Sequence, residues 1–404
     1  MHNETIVCVA SRAWNSLWGE AQKVMERMAK QNRVLYIEPG RSSSAPMVSE
    51  FKKNSKYFVK HHSEQLTENL TIVPLPSALP VARKHLPKPM LNITTPVTRQ
   101  FNTTMAIERI RWALKKYDAK DPILWLYSPY SAGLVGKFGE KIACYHNYDE
   151  FPDFDDNVKI KDLLRKYDDE LCRKVDVVFT TSRPQQEVRK KVNPNTHFVP
   201  NGVDFDLFNK ACDPQLETPD DMASINGPII GFAGVLRDIV DPSLLLRIAR
   251  AYPDYSLVLV GPDRYTDTAE IRELKSQSNV HFLGMKKLQE LPQYIRMFDV
   301  ALIPYELTGH VLSGYPQKLH EYLSGGKSIV ATAMPELAPY KDVVRIAESY
   351  EHFVELIPEA LPDTGQEIVR KRLEVARQNT WDARVETYYR VIEDTINAKY
   401  GVVV

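Results

Sequence analysis

The sequence predicts an α/β protein of two doubly wound domains in tandem, each built on a mostly parallel sheet. Short apolar, β-branched runs alternate with longer stretches of helical period, the pattern of strands covered by helices on both faces. That pattern runs to about residue 200 and then restarts near 228. A chain of 404 residues is long enough for two compact cores.

In the first half, strands are predicted at 5–10, 33–37, 123–127, 142–146, 175–180 and 197–199, with helices at 16–30, 102–117, 158–172 and 184–192. In the second half, strands are predicted at 228–233, 256–260, 280–283, 300–304, 328–331 and 343–346. Helices fall at 242–251, 268–276, 288–297 and 316–324. Two helical stretches close the chain over 364–399, the last opening at Thr380-Trp381-Asp382. The domains are drawn as 1–204 and 228–378. The polar, acidic, turn-rich stretch 205–227 is drawn as a linker, and 379–404 as a terminal helix packing back on the first domain. Pro74, Pro76, Pro80, Pro87 and Pro89 break any long element between 40 and 100, so an irregular insertion suited to acceptor recognition is expected there.

Charge is balanced overall but not along the chain. Residues 1–200 carry 31 Lys and Arg against 22 Asp and Glu, and residues 201–404 carry 21 against 30. Lys52, Lys53, Lys56, Lys60, Arg83, Lys84 and Lys88 concentrate the excess. Such a region suits peripheral contact with an anionic membrane or an anionic acceptor, and equally a plain solvated face. Cys8, Cys144, Cys172 and Cys212 form no CxxC pair, which points away from a zinc site or disulfide framework and toward a reducing cytoplasm. The N-terminus reads as a strand rather than a signal peptide, and no apolar run is long enough to span a bilayer.

The most informative stretch is SGYPQKLHEYLSGGK at 313–327, followed by the apolar strand SIVAT. Pro316 suits a first helical turn and Gly325-Gly326 a C-terminal stop. Backbone N–H groups at that helix start, with Lys318, make a diphosphate site. Glu321, three residues on and on the same face, is placed to accept the two hydroxyl protons of a ribose. A simple ion pair between Lys318 and Glu321 is the competing reading. Gly231 and Gly234 sit where a strand turns toward a helix, so backbone N–H groups there can approach a phosphate; close strand–helix packing explains them equally.

The order P-x-K-L-x-E-Y-L-x-x-G-K-x-I-V-A-T resembles the donor motif of GT-B glycosyltransferases, especially bacterial surface-polysaccharide enzymes of the teichuronic acid type. VPNGVD at 199–204, IGFAGVL at 230–236, LVLVGP at 257–262, NVHFLG at 279–284 and DVALIP at 299–304 continue the same series. The resemblance implies two Rossmann-like domains facing across a cleft, acceptor in the first and nucleotide sugar in the second. It assigns donor contacts to Glu321, Lys318, Arg237, Gly234, Gly314, Tyr315, Pro316, Gln317 and Leu319. Two departures matter. The lysine expected shortly after Arg237 is replaced by Asp238-Ile239-Val240-Asp241, and the acid expected eight residues before Glu321 is Ser313. Sugar contacts then fall to Thr308, His310, Ser313 or the backbone of Gly314; His310 and Glu306 can equally be ordinary loop polarity.

In the first domain, CYHNYDE at 144–150 ends a strand and opens an acidic loop, 151–156. A carboxylate at the end of a parallel strand can take a proton from an acceptor hydroxyl. Asp149 is the leading candidate base, followed by His146 and Glu150; Asp155 and Asp156 suit capping of the next helix. Arg12, Trp14 and Asn15, in the first strand-to-helix turn, are candidate acceptor contacts, and burial of both indoles of that turn against the domain core is an equal alternative. The expected activity is sugar transfer from a UDP- or GDP-sugar to an acceptor hydroxyl, without a cofactor or metal. A nucleotide-sugar epimerase and a non-catalytic nucleotide-sugar-binding protein are the alternatives. No GxGxxG follows the first strand, which argues against a dehydrogenase, and no nucleic-acid partner is expected.

Overall fold

The computed structural model describes residues 1–40, 61–76, 88–150 and 158–401. The chain divides into two compact units, one of residues 1–200 and 385–404, the other of residues 201–384.

Among the described residues of the first unit, eight strands form one sheet: β1 Thr5–Val9, β2 Arg33–Glu38, β3 Glu64–Gln65, β4 Leu70–Pro74, β5 Ile123–Leu126, β6 Ile142–Asn147, β7 Val177–Thr180 and β8 Thr196–Phe198. Their order is β3-β4-β2-β1-β5-β6-β7-β8, parallel throughout except for β3 at the edge. β5, β6 and β7 are buried along their whole length, which is why they read as continuous apolar runs. The sheet grows one way from β1 through β2 and the other way through β5, so its topological switch point lies between β1 and β5.

The stretch expected to be an irregular insertion is partly regular. β4 pairs with β2, with Pro74 as its last residue, and the helix predicted to start at 102 runs over Lys88–Lys116. Pro89 is its second residue, where a missing N–H breaks no helical bond. The remaining prolines at 80 and 87, the basic residues at 52, 53, 56, 60, 83 and 84, and the acidic loop 151–156 with Asp155 and Asp156 lie outside the described residues. The terminal helix Trp381–Tyr400 enters this unit from Val385 onward, where Tyr388 and Ile392 are fully buried.

The second unit holds β9 Ile229–Ala233, β10 Ser256–Val260, β11 Val280–Gly284, β12 Val300–Ile303, β13 Ser328–Thr332 and β14 Arg345–Ala347. They pair in parallel in the order β11-β10-β9-β12-β13-β14, with the switch point between β9 and β12. A core of Phe232, Leu244, Leu259, Leu302, Phe353 and Ile357 joins the sheet to its helices. Helix Tyr350–Ala360, not foreseen from sequence, supplies part of it and is capped by Ser349, whose hydroxyl accepts from His352 N–H at 3.1 Å.

Residues 205–227 lie within this second unit. Ala211 and Met222 are buried, and Asn209 donates to the carbonyl of Ser324 at 3.0 Å, so apolar anchors tie down a segment whose polarity reads as a linker. No helix among the described residues is long and apolar enough to cross a membrane, and the four cysteines are free thiols.

Candidate functional site

Helix Lys318–Ser324 is fixed at its C-terminal end and along its inner face. Gly326, at φ +67°, closes it: Lys327 N–H donates to Tyr322 O and Gly326 N–H to Leu323 O, the two bonds of a Schellman turn. On its inner face Tyr322 is fully buried, and its hydroxyl accepts from Ala233 N–H, the last residue of β9, at 2.9 Å. The helix is thereby locked beside the switch point of its own sheet. Lys318 follows from that placement: a Cβ added to Gly234 would lie 3.2 Å from Lys318 Cε and 2.8 Å from Phe232 Cζ. Lys318 Nζ donates to Glu321 Oε2 at 2.7 Å. Tyr305, just past β12, has its phenol pKa raised by burial and then by the charge of Glu321, an effect opposed by Arg237. Gly234, Arg237, Tyr305, Lys318 and Glu321 thus gather at one end of one sheet.

Several residues of the motif are structural. Leu319 is fully buried, Pro316 is buried, and Tyr315 is 8% exposed. The Tyr315 hydroxyl lies 2.6 Å from His320 Nε2 and 2.8 Å from Tyr340 OH. Burial, then the charge of Arg384, lowers the pKa of His320 to about 3, which keeps it neutral. These side chains support the helix from below and do not offer themselves to a ligand. Gln317 is exposed and Gly314 partly so, the latter with its N–H donated to Val311 O at 3.1 Å. Around the short helix Gly309–Leu312, Glu306 and Thr308 are exposed and His310 and Ser313 half-buried.

The glycines divide. Gly231 lies in mid-strand, and a Cβ there would lie 2.1 Å from the Phe298 ring, so its smallness serves packing. Gly234 lies at the turn, but its N–H is committed to Val260 O at 2.8 Å. Nor is the start of helix Pro242–Ala251 open: Asp241 accepts from Ser243 N–H at 2.9 Å and Leu244 N–H at 3.1 Å, and also from Tyr350 OH. The Asp-Pro pair at 241–242 is a legible cap signal that sequence reasoning passed over. Positive charge at this end of the sheet therefore comes from the side chains of Lys318 and of the exposed Arg237.

In the first unit the strand ends gather a second group. Ser11 Oγ lies 2.9 Å from Tyr148 OH, and Thr181 Oγ1 donates to Tyr148 O at 2.9 Å. Burial raises the Tyr148 pKa foremost, with Asp149 adding to the rise and Arg12 opposing it, which puts Arg12 and Asp149 at the same end of the sheet. Asp149 is half-buried, and Arg12 and Asn15 are exposed.

His146 is different. It is fully buried, with Nε2 2.6 Å from Glu20 Oε1 and 3.1 Å from Tyr388 OH, and its ring stacks on Tyr127. A side chain so enclosed does not reach an acceptor. Glu150 is held by Arg189, and Trp14 is 7% exposed, its ring edge-on to Tyr36 and its backbone N–H donating to Glu38 Oε1 at 2.6 Å. Trp18, by contrast, is 40% exposed. Among the described residues no three His, Cys, Asp or Glu side chains are grouped to hold a metal ion.

Comparison with known proteins agrees with this architecture. Residues 227–362, all within the second unit, match the family model described as Glycosyl transferases group 1. The chain is 27% identical over 207 residues to the putative teichuronic acid biosynthesis glycosyltransferase TuaH of Bacillus subtilis (strain 168), a match covering 49% of this chain and 51% of that protein. The match thus spans about half the length of that relative.

Among solved structures, sucrose-phosphate synthase from Thermosynechococcus elongatus superposes with a TM-score of 0.69 at 16% identity, covering 98% of this chain and 100% of its own. An E. coli structure described as trehalose-6-phosphate bound with UDP-2-fluoro glucose gives 0.68 at 13% identity, covering 99% and 100%. The UDP-forming α,α-trehalose-phosphate synthase from Burkholderia vietnamiensis gives 0.68 at 13%, covering 96% of each chain. At these identities the likeness is one of fold, and the fold class is GT-B, α/β with two doubly wound parallel-sheet domains.

Proposed function

We propose that this chain is a glycosyltransferase that moves a hexosyl group from a UDP- or GDP-sugar to an acceptor hydroxyl in the synthesis of a cell-surface polysaccharide or glycolipid. The observation that carries this reading is the grouping of Lys318, Glu321, Arg237 and Gly234 at the switch point of the second sheet, inside the residues that match the family model. The teichuronic acid role given to the Bacillus relative supports the polysaccharide assignment, and the UDP-sugar bound in the E. coli structure supports the donor class.

In this reading the donor diphosphate takes Lys318 from Glu321, and the freed carboxylate accepts from the ribose hydroxyls. The bond between the anomeric carbon and the phosphate oxygen breaks, its electron pair leaving with the nucleoside diphosphate. Lys318 and Arg237 stabilise that departing charge, the largest contribution a preorganised site can make. The acceptor oxygen bonds the anomeric carbon and gives its proton to Asp149. Turnover without a metal, at the cytoplasmic face of the membrane that the basic N-terminal half would contact, completes the proposal.

Calorimetric titration with UDP, GDP and their sugars, on wild type and on Lys318→Ala and Glu321→Ala, tests it. Nucleotide binding that both substitutions weaken, followed by acceptor-dependent release of nucleoside diphosphate that survives EDTA, is expected. Binding indifferent to both substitutions would sink the reading. An isomerised donor in the absence of acceptor would replace it with an epimerase.

A further inference from the structure

From Tyr145 onward, β6 and the chain just beyond it are tied to neighbouring elements by polar contacts. On one face Tyr145 OH donates to Asp168 Oδ1 at 2.6 Å, and Asn147 Nδ2 donates to Tyr145 OH at 2.9 Å. Arg189, 2% exposed, places Nε 3.1 Å from Asp168 Oδ2 and donates from its two terminal nitrogens to Glu150, one of them at 3.0 Å. On the other face Glu20, His146 and Tyr388 close a buried knot: besides the Glu20–His146 pair at 2.6 Å, Tyr388 OH donates to Glu20 Oε1 at 3.3 Å. These three side chains are 5%, 0% and 0% exposed and come from the first helix, β6 and the terminal helix. Asp149 sits between the two networks, one residue before Glu150 and three after His146.

Charge in a core is a poor way to gain stability. Taking ions out of water costs several kcal/mol each, and an apolar packing of the same volume is often as stable. The knot is also incompletely satisfied, since Glu20 Oε2 and His146 Nδ1 have no hydrogen-bond partner. What such networks supply is directional: each fixes a donor and an acceptor at one distance, where apolar contacts allow sliding.

We infer that Glu20 and Glu150 are positioning residues, two buried polar networks gripping β6 from opposite faces so that the backbone carrying Asp149 holds one geometry. The inference rests on Asp149 acting as the base. It also gives His146 its role, as the strand's anchor rather than a participant in the reaction.

The test is a double-mutant cycle on kcat for sugar transfer by the full chain. Glu20→Ala and Glu150→Ala are each expected to lower kcat about tenfold or more, a small displacement of a reacting group being enough for that. The dissociation constant for UDP should stay within about twofold, because the nucleotide contacts lie in the other unit, and the glutamine variants should recover most of kcat because they keep the hydrogen bonds. On an Asp149→Asn background the alanine substitutions should cost nothing further, since they act only through that carboxylate. A general loss of structure would instead multiply with Asp149→Asn, and that result overturns the inference while leaving the base in place. Asp149→Asn with undiminished kcat overturns the base assignment itself, and this inference with it. Where an alanine variant does not fold, the glutamine variant enters the same cycle: a loss that persists undiminished on the Asp149→Asn background counts against positioning.

Discussion

Lys318 Nζ sits 2.7 Å from Glu321 Oε2, with the two side chains 17% and 14% exposed. The two residues assigned to the two halves of a nucleotide are thus paired with each other. Such an i,i+3 pair contributes at most about 1 kcal/mol to stability, so the functional cost of losing it should exceed the structural cost. Lys318→Ala is expected to weaken UDP binding by roughly ten- to a hundredfold, the worth of a charge-assisted hydrogen bond, while leaving uridine binding nearly unchanged. Glu321→Ala should weaken both, because the ribose is common to them. Calorimetry with the two ligands separates the cases, and equal losses for uridine and UDP in Lys318→Ala would contradict the assignment.

Two glycines packed close to large side chains should respond differently to the same substitution. Gly231→Ala drives a methyl group to 2.1 Å from the buried Phe298 ring, and is expected to cost roughly 2–3 kcal/mol or more. Gly234→Ala meets Phe232 and the flexible methylene chain of Lys318. Its stability loss should be smaller, and its main effect a loss of UDP affinity as Lys318 is displaced. Urea titrations paired with nucleotide binding would show the two effects in opposite proportion.

The parallel sheets were legible because their central strands are buried on both faces, which forces continuous runs such as those of β5, β10 and β12. β4 was hidden by Pro74, read as a breaker, although proline at a strand's last residue disturbs no further pairing. The spacing of Lys318 and Glu321 was also legible, since helical period alone puts them on one face. The burial of His146 was not, and that of Trp14 was only one of two readings, which did not separate it from the exposed Trp18. Whether a side chain near a strand end meets solvent or core depends on what packs over it, and for His146 those partners are Glu20 and Tyr388, the latter 242 residues away in sequence. No local pattern encodes that encounter.

His320 makes the donor helix sensitive to acid. Its pKa is lowered from 6.5 to about 3 by burial and the neighbouring Arg384 charge, so the unfolded chain takes up a proton that the folded chain refuses. Its contribution to stability is present above pH 6.5 and is lost as pH falls toward 3. His320→Gln should unfold less steeply than wild type across that window. Denaturation midpoints measured between pH 7 and 4 check it, and parallel curves for the two proteins would remove His320 as the cause.

Lys327 works at the other end of the pH scale. Its ammonium donates to Arg296 O at 2.6 Å, yet burial lowers its pKa from 10.5 to about 8, Asp299 and Cys212 opposing the fall only in part. Below pH 8 both folded and unfolded chains carry the charge, and the folded state bears its full desolvation cost. Between 8 and 10.5 the folded chain loses the proton first, so this residue's contribution becomes more favourable as pH rises, by up to about 3 kcal/mol for a shift of that size. Tyrosines ionise in the same range and would mask the effect in wild type alone. The informative quantity is the stability of Lys327→Met minus that of wild type, in which their titration cancels. That difference is expected to be largest at pH 7 and to fall steadily through pH 9 and 10. If it holds constant instead, Lys327 keeps its ordinary pKa in the folded chain, and the close contact of its ammonium with the Arg296 carbonyl would have to offset the loss of water entirely.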